Sequence, residues 1–110
     1  MKQYVVDELR YPDYEKLKTY LEDTFEAAAT DNIYWIPLAS EVMTPAQAEH
    51  KDCQPFYVAF ELESESLACE LLVRTHNHVT CSCMGYATEN QRNWLIRIVD
   101  SIFEQLEIKH

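Results

Sequence analysis

The chain has 110 residues, 47% of them hydrophobic and 25% charged, which excludes a disordered chain and sets the expectation of a single domain over residues 1–110. A domain of this size buries roughly two-thirds of its unfolded surface, so it needs no metal or disulfide staple. Nine Lys and Arg against nineteen Asp and Glu leave a formal charge of −10, a sign that repels phosphate backbones and anionic lipid and so argues against nucleic acid and membrane as partners.

In chain order, residues 2–9 (KQYVVDEL) have a β-branched and aromatic centre that fits a short strand. The same region has no long apolar run and reaches an acidic residue by Asp7, so it does not read as a signal peptide. No stretch approaches the ~20 apolar residues of a membrane helix. A cytoplasmic protein with reduced thiols is the resulting expectation. Tyr14, Leu17, Leu21, Phe25 and Ala28 then recur at helical spacing, with Pro12 or Asp13 as the start signal. Asp13 and Glu15 in the first turn suit the positive end of the helix dipole. Residues 32–38 (NIYWIPL) read as a strand stopped by Pro37. Residues 39–55 are the longest irregular segment, within which Thr44-Pro45-Ala46-Gln47 has the form of a capping box followed by a short helix.

Strict alternation follows. Phe56, Val58, Phe60 and Leu62 form one apolar set, Leu67, Cys69, Leu71 and Val73 a second, and Val79, Cys81 and Cys83 a third. Antiparallel strands covered on one face give this pattern. Thr88 and Gln91 make a second capping box, before a stripe of Leu95, Ile98, Val99, Ile102 and Leu106. The expected fold is α+β: two layers, with one face of an antiparallel sheet covered by an N-terminal and a C-terminal helix.

Loop lengths suggest a register. A four-residue loop Glu63–Ser66 sets Leu62 against Leu67 and Phe60 beside Cys69. A three-residue loop Thr75–Asn77 sets Val73 against Val79 and Cys69 against Cys83. The inner face then reads Phe60–Cys69–Cys83, Val58–Leu71–Cys81 and Phe56–Val73–Val79. On the outer face Tyr57 stands beside Leu72, with Ala59, Ala68 and Met84 near, and either Tyr34 or Trp35 must project outward.

The segment HNHVTCSC is the densest concentration of ligand-type residues. In this register His78 faces outward, Cys81 and Cys83 face inward, and His76 sits in the loop, so the four cannot share one tetrahedral zinc. Cys69, Cys81 and Cys83 are expected as reduced core thiols, and Cys53 as the exposed, reactive one. The single glycine, Gly85, removes the glycine-rich phosphate loop and the G-x-S-x-G nucleophile elbow, and no H-E-x-x-H motif occurs. No catalytic residue is assigned and no cofactor is expected.

Three functions remain. The favoured one is a small acidic protein-interaction module, of adaptor or chaperone type, that self-associates as a homodimer through Trp35, Tyr57, Leu72 and Met84. The alternative is a metal- or redox-responsive protein using Cys69, Cys81, Cys83 and Cys53 with His76 and His78. The third is an enzyme with a pocket between the helices and loop 39–55, lined by Glu49, His50 and Cys53.

Overall fold

Phe56, Val58, Phe60 and Leu62 are all buried, whereas Tyr57 and Glu61 between them are only half-buried. These residues form the central strand of a computed structural model that describes residues 3–27, 32–49, 51, 54–75 and 85–108. The elements are β1 (Gln3–Val6), α1 (Tyr11–Thr24), β2 (Glu26–Ala27), β3 (Ile33–Pro37), a 3-10 turn (Ser40–Val42) and α2 (Pro45–Glu49). They continue with β4 (Phe56–Leu62), β5 (Leu67–Glu70), β6 (Leu72–Thr75), β7 (Gly85–Tyr86) and α3 (Glu89–Gln105). All pairings are antiparallel, in the order β1-β5-β4-β3-β2, with β6 beside β4 and β7 beside β6. The class is α+β, as expected.

One core joins sheet and helices. Leu17 and Leu21 of α1 and Leu95, Val99, Ile102 and Phe103 of α3 belong to the same cluster as Tyr34, Ile36, Phe56, Val58, Phe60, Leu62, Leu67, Cys69 and Val73. Full burial of each large apolar side chain contributes roughly 1.5–3 kcal/mol. Ile98 and Leu106, from the expected stripe, pack at the margin of this core, while Phe103 is fully buried.

The β4–β5 hairpin has the expected register: Leu62 lies opposite Leu67 and Phe60 opposite Cys69. Glu63 and Ser66 close it, the Glu63 N–H donating to the Ser66 carbonyl at 2.8 Å. Beyond Glu70 the expectation fails. Residues 67–75 do not form one strand, and Phe56 lies opposite Thr75 rather than Val73. The partner strand gains two residues around Leu71, whose carbonyl accepts from Ala87 N–H at 2.7 Å. A two-residue offset preserves the faces, which is why Leu71, Val73 and Thr75 all stay buried.

The second hairpin is also different. Thr75 belongs to β6, not to a loop, and Val73 lies opposite Gly85 rather than Val79. The edge reserved for Cys83 is occupied by β1, which sets Tyr4 beside Cys69. Helix α1 ends earlier than its stripe suggested. Phe25 takes an extended conformation (φ −124°, ψ 159°), and Glu26 and Ala27 pair with Trp35 and Tyr34. Thr24 and Phe25 are weaker helix formers than the residues before them, so strand pairing prevails at this point.

Both expected capping boxes form. Gln47 N–H donates to Thr44 Oγ1 at 3.2 Å while Thr44 N–H donates to Gln47 Oε1 at 3.0 Å. Thr88 and Gln91 repeat the exchange at 3.0 and 3.1 Å. The two boxes then meet, because Gln91 Nε2 donates to Gln47 Oε1 at 2.8 Å and to the Val42 carbonyl at 3.0 Å. Both glutamines are buried, and this pair fastens the segment before β4 onto the start of α3.

At its other end α3 closes with a Schellman turn: Ile108 N–H donates to the Phe103 carbonyl at 2.8 Å and Glu107 N–H to the Glu104 carbonyl at 3.1 Å. The left-handed position of that turn is Glu107, at φ 59°, where glycine is the usual residue. Glu107→Gly should therefore raise the unfolding free energy by about 0.5–1 kcal/mol, the relief of the Cβ clash exceeding the added freedom of the unfolded chain. Urea unfolding checks this, and a decrease would show that the Glu107 side chain contributes more than its backbone costs.

Candidate interaction surface

The sheet positions that alternate with the core set form the outer face. Across one end of it run Ile33, Glu61, Ala68 and Val5 on adjacent strands. Trp35 lies beside Ala59, and Gln3 lies beside Glu70. At the other end Pro37, Tyr57 and Arg74 are neighbours, and Leu72 lies beside Tyr86. Tyr34 is the aromatic that points inward, at 1% exposure, so Trp35 is the outward one.

Three of the four expected surface residues thus share this face: Trp35, Tyr57 and Leu72, each half-buried. Met84 lies outside the described residues. The expected contact of Tyr57 with Leu72 is replaced by Tyr57 beside Arg74, a direct result of the two-residue offset at Leu71. Residues of this face outside the expected contact set are Val5 and Tyr86, at 47% and 53% exposure, together with Ile33, Pro37, Glu61, Glu70 and Arg74. Strand parity alone could have placed Ile33, Glu61 and Glu70 outward. Val5 and Tyr86 required knowledge of which strands pair.

Charge on this face is sparse and unevenly matched. Arg74 Nε and Nη2 both donate to Glu70 Oε1, the first at 2.9 Å. The Glu61 side chain makes no ion pair or hydrogen bond with any described residue. Between them, Gln3, Ile33, Ala59, Glu61, Ala68 and Glu70 line a depression of about 200 Å³.

A larger, shallow groove of about 520 Å³ runs between α1 and the end of α3, lined by Glu15, Lys16, Thr19, Tyr20, Asp23 and Leu106. Lys16 Nζ crosses it to the Leu106 carbonyl at 3.2 Å and so places a cation at the negative end of α3. One turn earlier in α1, Asp13 is buried and accepts from Arg10 Nε at 3.2 Å.

Of the expected thiols, Cys69 is free and fully buried. Burial pushes its pKa far above the ordinary thiol range, so it is neither a ready nucleophile nor a ready ligand. Its strand neighbours are Phe60 and Tyr4, which removes the pairing with Cys83 on which a Cys69–Cys83 redox couple depended. Cys53, His50, His76, His78, Cys81 and Cys83 lie outside the described residues. Among the described residues no group of three or more His, Cys, Asp or Glu is arranged to hold a metal, and no helix is long and apolar enough to cross a membrane. Where the long segment meets α3, Gln91 Nε2 donates to Gln47 Oε1 at 2.8 Å, and Glu49 is exposed. No protein-family model, curated protein or solved structure gives a significant match to this chain.

Proposed function

We propose that the protein is a non-catalytic protein-interaction module, acting in the cytoplasm as an adaptor or chaperone, with the outer sheet face as its contact surface. The observation that carries this reading is the grouping of Pro37, Tyr57, Leu72 and Tyr86 at one end of that face, each at least partly open to solvent. Aromatic residues exceed their surface average at protein interfaces, and clustering distinguishes such a patch from scattered surface apolars. Self-association through this end makes the protein a homodimer.

Two copies each carry a charge of −10, so their association should strengthen as salt screens the repulsion. Leu72→Glu should convert the dimer to a monomer, because it places a carboxylate without a partner in the contact. Sedimentation velocity at tens of micromolar, roughly where weak interfaces become populated, measures both effects. A parent protein that sediments as a monomer across that range removes the self-association.

A further inference from the structure

We infer that the depression at the other end of the outer face receives a lysine or arginine side chain from a basic protein partner. This deepens the interaction-module reading and rests on it, but it uses a separate patch from Leu72 and Tyr86. The depression is about 200 Å³, below the roughly 300–1,000 Å³ of small-molecule pockets, so it suits one side chain rather than a whole ligand. Ala59 and Ala68 leave room for an aliphatic stem, and Ile33 supplies an apolar wall.

The rim supplies the charge. Glu61 is half-buried in the central strand between Ile33 and Ala68, with no cation among the described residues to pair it. Glu70 accepts both of its Arg74 bonds through Oε1, which leaves Oε2 for another donor. A cationic head seated between Glu61 and Glu70 gains charge-assisted hydrogen bonds from both. The net charge of −10 favours the same occupant and steers a basic chain toward the protein, while it disfavours a second copy at this spot.

The test is a titration of the isotope-labelled protein with a short alternating Lys-Val peptide, followed by NMR. The expected result is saturable shifts centred on Ile33, Ala59 and Ala68 that weaken as salt rises, opposite in sign to the salt effect on self-association. Glu61→Gln should weaken binding roughly tenfold or more, the scale of a lost charge-assisted bond. Glu104→Gln, which removes an exposed charge on α3, should change it little. Ala68→Leu keeps both carboxylates and fills the depression, so it too should block binding. Shifts spread over the acidic helices, or equal effects of Glu61→Gln and Glu104→Gln, would overturn the proposal, as would binding unaffected by Ala68→Leu. Should Leu72→Glu dissociate a dimer while the peptide finds no site, the contact face stands and the cation pocket falls. The reverse pattern, specific peptide binding by a monomeric parent, upholds the pocket and removes only the self-association.

Discussion

Replacing Gln91 with leucine will lower the unfolding free energy by about 2–4 kcal/mol, out of the roughly 5–15 kcal/mol that holds a domain of this kind together. The Gln91 side chain serves three groups at once: the Thr88 N–H, the Val42 carbonyl and Gln47 Oε1. Gln91 itself is 2% exposed. The Thr88 N–H and the Val42 carbonyl lose their partner, at on the order of 1–3 kcal/mol each, whereas Gln47 Oε1 keeps the Thr44 N–H, and the apolar gain of leucine offsets only part of the sum. Gln91→Glu sharpens the test. A glutamate keeps an acceptor for Thr88 but, once ionised, faces Gln47 Oε1 and the Val42 carbonyl with no proton to give. Its folded pKa should rise above the unfolded value of about 4.3, so this variant is closest to the parent below that pH and loses stability as pH climbs above it. Urea unfolding from pH 4 to 7 reads the slope, and a flat profile would mean that the carboxylate has found water or another donor.

Phe60→Ala is expected to cost about 3–5 kcal/mol. Phe60 is fully buried in the central strand, flanked by Tyr34 and Cys69, and no single neighbour can fill the space it leaves. Cys69 reports on the same event from inside. Its thiol reacts only when the strand opens, so labelling in the parent should be slow, and Phe60→Ala should speed it by roughly two to three orders of magnitude where exchange follows global unfolding. A fast Cys69 in the parent, or an unchanged rate in the variant, contradicts the burial. The thiol also contributes to the loss of stability at high pH. It keeps its proton in the folded chain to higher pH than in the unfolded chain, whose thiols ionise near 8.5. Its contribution is therefore complete below about pH 8.5 and declines as pH rises beyond it.

What could be read from the residues divides by the range of the interaction. Thr44-x-x-Gln47 and Thr88-x-x-Gln91 are local devices, and both formed as their spacing implied. The tight Glu63–Ser66 turn joined to strict alternation was enough to set Phe60 beside Cys69. Alternation reports which face a residue takes, however, and not which strand will lie next to it. Nothing near Cys69 announces that residues 3–6, more than sixty positions earlier, take its open edge. Likewise Leu71 looks like one more inward residue of a continuous strand. Its role in a register offset depends on a bond to Ala87, beyond any local pattern. The candidate surface inherited both gaps: its half-buried aromatics were legible, whereas Tyr86, Val5 and the Glu61 depression came only with the pairing.

The pairing of β1 with β5 also bears on how the protein is made. Among the described residues the first strand pairs with residues 67–70, and α1 packs on β4, so neither meets these partners until residues 56–70 exist. Synthesis runs from the N-terminus, so Leu17 and Leu21 are made before the strand residues of their shared core. Contacts this distant in sequence also slow the closing step itself. Helix α1 therefore exists before the surfaces that bury it.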